Sequence, residues 1–370
     1  MASSVDIGGF CNPQFERVKQ VFEENFEQDE ELGASLAVFV EGEPAVDIWG
    51  GFVDRKQTLP WQEDTITLVF STSKILLNIC ILMLIDRGLL NIDDPITTWW
   101  PEFGQGGKDA VTLKHVMTHQ SEVPGFKEPV APEVAADFDR VIRTIEQEPA
   151  WGEVGTRYFY HPVTYGYILG ELVRRVTGDS FDIFYQKELQ QPLALDFHFG
   201  LTDESEARAA QVVFKPGERE MPPLMQQAFN SFGQLKFNTQ EIKRALIPAA
   251  NGYGNARSIA TAGSLLAMDG VQNGKQLLSS ETIDLAVTVH YDGLNLMGET
   301  MQVGLGFGLP SSDYNIMGEG TFGWGGMGGS VCFMNREKRF SIAYAMNLCG
   351  ARWDDEKRFL RLAEAFRQCV

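Results

Sequence analysis

Cysteine is scarce in this chain, and what there is does not pair up. Its five residues (Cys11, Cys80, Cys332, Cys349, Cys369) are scattered, odd in number and without a Cys-x-x-Cys spacing. Free thiols in a reducing compartment are the expectation. Positive charge is also in deficit: 31 Lys and Arg stand against 50 Asp and Glu, a formal net charge of −19. Such a balance argues against nucleic acid or an anionic membrane as a partner, and mildly against anionic substrates. The densest acidic patch, Glu23-Glu24, Glu27 and Asp29-Glu30-Glu31, reads as the solvated end of a first helix. Long apolar runs are missing too. The longest, Ile75 to Ile85, has 11 residues and contains Asn78, too short to span a bilayer. The opening Met-Ala-Ser-Ser-Val-Asp lacks the basic start and apolar stretch of a signal peptide, so a cytoplasmic protein is expected.

Several chemical motifs are lacking as well. There is no Gly-x-Ser-x-Gly elbow and no Gly-Lys-Ser/Thr phosphate loop. Gly323 to Gly329 formally contains Gly-x-Gly-x-x-Gly, but the strand-like Ser330 to Met334 follows it where a dinucleotide site needs a helix. Five glycines in those seven residues still need a reason. They make either a bulged strand end or a sheet edge stripped of side chains so that a ligand can lie against its backbone. His115 and His119 have the i, i+4 spacing of zinc ligands. Val116, however, stands where a zinc protease carries its glutamate, and no third ligand is evident. No metal and no cofactor are expected.

What is present is a helix–strand order. Phe15, Val18, Val21, Phe22 and Phe26 predict a helix over 13–28. Strands at 34–40 and 45–52 follow, joined through the turn Glu41 to Pro44. The middle predicts helices at 72–88, 112–118, 134–148, 163–177, 180–188, 256–270 and 279–288. Strands return at 302–309, 320–324, 329–335 and 339–347, and a last helix over about 354–368 carries Phe359, Leu362, Ala363 and Phe366. The fold class is therefore α/β: one antiparallel sheet built from both ends of the chain, flanked by helices, with a mainly helical subdomain beside it. All 370 residues are expected to form one catalytic domain, with an α/β subdomain (about 1–65 and 290–370) and a helical one (about 66–289).

Ser71-Thr72-Ser73-Lys74 opens the apolar run. Ser71 then sits at a helix N-terminus with Lys74 one turn on, on the same face. A serine hydroxyl becomes a useful nucleophile only when a base takes its proton. A lysine amine can be that base if desolvation pulls its pKa far below ~10.4. Taken alone, the tetrapeptide is equally an ordinary helix start with Ser71 as N-cap. Ser73, two positions on, points to the other side.

Further stretches recur in the same order in a known group. Leu89-Leu90-Asn91-Ile92-Asp93-Asp94-Pro95, Thr112 to Gly125, Gly155-Thr156-Arg157-Tyr158-Phe159-Tyr160-His161 and Ala256-Arg257-Ser258 all follow Ser71-x-x-Lys74. Together they resemble the penicillin-recognising serine enzymes, the class C β-lactamases and DD-peptidases. The closest likeness is to the β-lactamase-like carboxylesterases of family VIII. The resemblance implies a β-lactamase/transpeptidase-like fold, with Ser71 as nucleophile and Lys74 and Tyr160 as proton carriers. It puts the N–H groups of Ser71 and Met327 in an oxyanion hole, and makes His115 and His119 scaffold. Substrate would lie against Trp324, Gly325, Gly326 and His161. Tyr158, Tyr165 and Tyr167 are left as core or pocket wall.

Two departures matter. The family's Tyr-x-Asn reads Tyr160-His161-Pro162 here, and its cationic Lys/His-x-Gly reads Trp324-Gly325-Gly326. Pro162 offers no side-chain hydrogen bond. Trp324 carries no charge but adds an apolar wall. Both changes favour small neutral carboxylic esters over anionic amides. A β-lactamase or DD-peptidase, or an acyltransferase passing the acyl group to an alcohol, are the alternatives.

Overall fold

The segment after Ser71 buries itself on every side. Helix α2 (Ser73–Asp86) is buried at every position from Ser73 to Leu84, which is why it is apolar all round instead of striped. The polar residue inside its apolar run, Asn78, is satisfied: it donates to Gly306 O at 2.7 Å and accepts from the Tyr165 hydroxyl at 2.6 Å. Around α2 packs the larger of two apolar cores. This computed structural model describes residues 5–28, 30–217, 220–233, 235–350 and 357–370.

Beside α2 stands an antiparallel sheet, of nine strands among the described residues, drawn from both ends of the chain. Its strands are β1 (Ile7–Cys11), β2 (Gly33–Val40), β3 (Glu43–Gly51), β4 (Tyr291–Leu294), β5 (Thr300–Val303), β6 (Gly308–Leu309), β7 (Thr321–Gly325), β8 (Val331–Asn335) and β9 (Phe340–Met346). They lie in the order β1-β3-β2-β9-β8-β7-β6-β5-β4. The two chain ends meet where β2 pairs β9, with Ala37 opposite Ala343.

The two faces differ in size of side chain, as strand alternation allows. Leu36, Val38, Ile342 and Tyr344 face a second core shared with helix α1 (Glu16–Glu27) and with the C-terminal helix (Lys357–Arg367). Ala37, Ala343 and Ala345 face the first core, beneath the helix Ala256–Ala267. Small residues meet there: a Cβ on Gly263 would come within 2.8 Å of Cys332 Sγ.

Departures from the sequence reading have local causes. Strand β1 leaves no signal in the sequence because Ile-Gly-Gly-Phe-Cys shows no alternation. The expected strand 302–309 is two, β5 and β6, separated by a turn at Gly306 with φ of 81°; β4 is a further strand the sequence reading lacks. The helix expected at 134–148 breaks at Asp137, whose carboxylate caps Phe138–Gln147 by accepting from Arg140 N at 3.0 Å. The helix expected at 180–188 ends at Tyr185 and runs on as a wider turn over Gln186–Gln190. Positions 354–356 of the expected last helix, and Asp29 of the acidic patch, lie outside the described residues.

That patch is not all solvated. The Glu31 carboxylate is buried against Arg358 at 2.8 Å, and Tyr344 donates to its other oxygen. Burial pushes its pKa up to about 7 in spite of the guanidinium. No helix among the described residues is long and apolar enough to cross a membrane.

Candidate active site

Ser71 sits in a 3₁₀ turn, Phe70–Thr72, that leads into α2. A small sheet places the turn: Thr67–Leu68 pairs with Gly252–Gly254, and Val69 N donates to Gly252 O at 3.0 Å. Phe70 holds a left-handed backbone (φ 47°), uncommon for a non-glycine residue and a sign of local strain. Its ring is fixed edge-on to Phe237 at 5.0 Å. Ser73 is spent on structure, donating to Phe70 O and accepting from Gly252 N.

Lys74 and Tyr160 converge on Ser71. Lys74 Nζ lies 3.2 Å from Ser71 Oγ, and the Tyr160 hydroxyl donates to the same oxygen at 2.7 Å. Lys74 is buried, with no carboxylate paired to it among the described residues, and desolvation holds its pKa well below the usual amine value. Its other hydrogen-bond partners among the described residues are two carbonyls, Pro162 O at 2.9 Å and Ala249 O at 3.1 Å. A neutral amine has two N–H groups and one lone pair. In that neutral form, hydrogens on the two carbonyls leave the lone pair to face Ser71. Burial pushes Tyr160 up to about 12, with the bond to Ser71 opposing, so its phenol keeps its proton near neutrality.

Strand β7 brings the glycine-rich segment alongside. Trp324 lies stacked on Tyr160 at 5.8 Å between centroids. A Cβ on Gly326 would meet Val69 O at 2.2 Å, so the approach of this strand end to the serine turn requires glycine. Gly328 and Gly329 have φ of 92° and 119°, and a Cβ on Gly323 would strike Cys332 O. The glycines thus serve both close approach and turning. Among the described residues, neither the Ser71 nor the Met327 N–H has an acceptor within the protein.

A cavity of about 440 Å³ opens over these groups. Ser71, Tyr160, Trp324, Gly325, Gly326 and Met327 line it, with Tyr158, Met225, Phe229, Met301 and Tyr314 among its apolar walls. Glu299 and Asp313 are its charged lining residues, and no Lys or Arg lines it among the described residues.

His161 is placed elsewhere than the sequence reading has it. It is buried away from the cavity, its ring nitrogens held by Ser121 Oγ and Phe159 O, each at 2.6 Å. It therefore offers substrate no free polar atom. His119 accepts from His161 N at 3.2 Å and packs edge-on to Tyr160, while His115 caps its own helix through Thr112. Tyr158 is cavity wall; Tyr165 and Tyr167 are core. Sequence reasoning missed the two carbonyls that orient Lys74, since main-chain atoms leave no residue signature. It also missed the ion pair of Glu122 with Arg157, bidentate at 2.7 Å, which clamps the segment leading to Tyr160.

Residues 18–366 match the family described as Beta-lactamase. The chain belongs to the beta-lactamase family. Within that family it is similar to the esterase/beta-lactamase LipL of Mycobacterium tuberculosis, 29% identical over 92% of this chain and 83% of the relative. Esterase EstB of Burkholderia gladioli is 25% identical over 90% of each chain. Among solved structures, a penicillin-binding protein homologue from Caulobacter crescentus superposes with a TM-score of 0.93 at 34% identity, covering 99% of this chain and all of that one. A family VIII carboxylesterase does so with a TM-score of 0.90 at 30% identity and the same coverage. This member of the beta-lactamase family is a serine hydrolase with an antiparallel α/β fold.

Proposed function

We propose that the protein is a carboxylesterase that hydrolyses small neutral carboxylic esters through an acyl-enzyme on Ser71. The observation that carries the reading is the setting of Lys74: a desolvated amine held by two carbonyls, Pro162 O and Ala249 O, with its nitrogen 3.2 Å from the serine oxygen.

In this mechanism Ser71 attacks the ester carbonyl and its proton passes to Lys74. The developing oxyanion rests on the N–H groups of Ser71 and Met327. Tyr160 gives its proton to the departing alkoxide and regains one from the Lys74 ammonium. Water then yields a proton to Lys74 and attacks the acyl group. Ser71 leaves as alkoxide, recovers that proton, and the carboxylic acid is released. No step calls for a metal or cofactor.

The substrate class is supported by the cavity. An anionic β-lactam or peptide would find Trp324 where a cation is needed and carboxylates at Glu299 and Asp313. The β-lactamase or DD-peptidase reading keeps one observation in its favour, the penicillin-binding protein homologue at 34% identity. Parallel kinetics on nitrocefin and on p-nitrophenyl acetate and butyrate separate the two, with far higher kcat/KM on the esters expected. Equal or better turnover of nitrocefin overturns the esterase reading. Fluorophosphonate labelling, mapped by intact mass and peptide analysis, should fall on Ser71 and vanish in Ser71→Ala. Product analysis with excess alcohol tells hydrolysis from transfer.

A further inference from the structure

The two N–H groups assigned to the oxyanion belong to segments more than 250 residues apart in sequence, and something must hold them in register. Ser71 lies on the turn before α2; Met327 lies on the loop after β7. We infer that Ser330 is the positioning residue that locks one half of the oxyanion hole to the other. This rests on the reading of Ser71 as nucleophile.

Ser330 is buried and does not line the cavity, so it does not touch substrate. Its hydroxyl donates to Val69 O at 2.7 Å, two residues before the nucleophile. That uses its single proton. The Thr72 hydroxyl, 3.0 Å away and one residue after the nucleophile, is therefore the donor to Ser330 Oγ. One side chain thus bonds the serine turn on both sides of Ser71. On its own side Ser330 closes the loop that presents Met327: Gly326 N donates to Ser330 O at 2.7 Å, and Gly329 N to Gly326 O at 3.1 Å. A Cβ on Gly326 would meet Val69 O, the same carbonyl that Ser330 holds. Loop and turn share this one oxygen as their common reference point.

Interactions with an oxyanion exist only once the carbonyl has been attacked, so misplacing a donor lowers kcat without weakening ground-state binding. Removing such a donor outright costs about 10²–10³ in kcat, and displacing one costs less. For Ser330→Ala a roughly 10- to 100-fold fall in kcat is expected, with KM little changed.

The deciding measurement pairs two inhibitors of the same chain length. A trifluoromethyl ketone forms a tetrahedral adduct on Ser71 and needs the oxyanion donors. The matching methyl ketone binds as a ground-state mimic. In Ser330→Ala, affinity for the first should fall in parallel with kcat while affinity for the second holds. Unchanged kcat and trifluoromethyl ketone affinity in a folded variant overturn the inference, as does an equal loss for both ketones, which marks general damage to the cavity. If Ser330→Ala does not fold, Thr72→Val and Thr72→Ser decide between lock and no lock. A loss in the isosteric valine variant that the serine variant does not share supports the lock, and indistinguishable variants overturn it. Fluorophosphonate labelling of the wild type comes first. A chain that is not labelled at Ser71 sinks the proposed function itself, whereas a labelled chain indifferent to Ser330 sinks only the lock.

Discussion

Lys74 is the residue on which the chemistry turns, and its burial has consequences of definite sign. The folded-state pKa is depressed below that of the unfolded chain. Between those two values the unfolded state binds a proton that the native state does not, so stability rises with pH across that window. Lys74→Met removes the titration. The stability of wild type relative to Lys74→Met should therefore grow with pH from the depressed folded value up to the ordinary amine pKa of ~10.4, by up to ~1.4 kcal/mol per unit, in urea melts at several pH values. A difference that stays flat would mean the amine is charged in the fold and is no base. Activity follows the same proton. kcat/KM should rise with pH through the depressed Lys74 pKa and then level off, because Tyr160, pushed up to about 12, keeps its phenolic proton over the assay range. Tyr160→Phe deletes the donor at 2.7 Å from Ser71 Oγ. A fall of about 10²–10⁴ in kcat is expected, the usual size of a lost general acid–base group. A loss under tenfold would show that leaving-group protonation runs by another route.

At the scale of elements, the decisive contact is the end of β7 against the turn at Phe70–Thr72. Gly326→Ala inserts a methyl 2.2 Å from Val69 O, a backbone atom that cannot rotate away. The loop carrying Met327 must back off. A drop in kcat of at least about 10²-fold is expected, comparable with losing an oxyanion donor. The accompanying thermal shift should be modest, reflecting about 1–3 kcal/mol of overpacking. A fully active Gly326→Ala would show that the approach is not needed. The scale of elements is also where the sequence is most and least readable. Helix α2 can be placed because an uninterrupted apolar run bounded by a polar tetrapeptide has one good solution. The β2–β3 hairpin is legible from its turn. The motif order brings Ser71, Lys74 and Tyr160 to notice, and the fold puts all three on one oxygen. Local pattern fails where a long-range contact decides. Gly306 turns between β5 and β6 because Asn78, on a distant helix, needs its carbonyl. Glu31 looks like one more surface acid until Arg358, at the other end of the chain, buries it. The place of His161 beside Tyr160 points to a role in binding substrate. Its ring instead faces Ser121, a partner no spacing rule reveals.

Across the whole molecule, charge and cavity act in the same direction. The chain carries −19 overall, and the cavity adds the carboxylates of Glu299 and Asp313 at exposed positions. Asp313 stays ionised well into acid, since the Thr300 N–H and hydroxyl both donate to it and hold its pKa down. An ester with a distal carboxylate therefore approaches against the field, while a neutral ester of equal length does not feel it. The pair p-nitrophenyl hemisuccinate and p-nitrophenyl butyrate isolates this effect. At low ionic strength the hemisuccinate should have much the lower kcat/KM. Its value should climb as salt shortens the screening length from ~30 Å at 0.01 M to ~10 Å at 0.1 M. The butyrate should be nearly indifferent to salt. The double variant Glu299→Gln, Asp313→Asn should narrow the gap at low salt and leave butyrate turnover unchanged, since neither residue touches the Ser71 oxygen. A hemisuccinate rate that falls with added salt would reveal a cation guiding the carboxylate into the site, and would move the preference back toward anionic substrates.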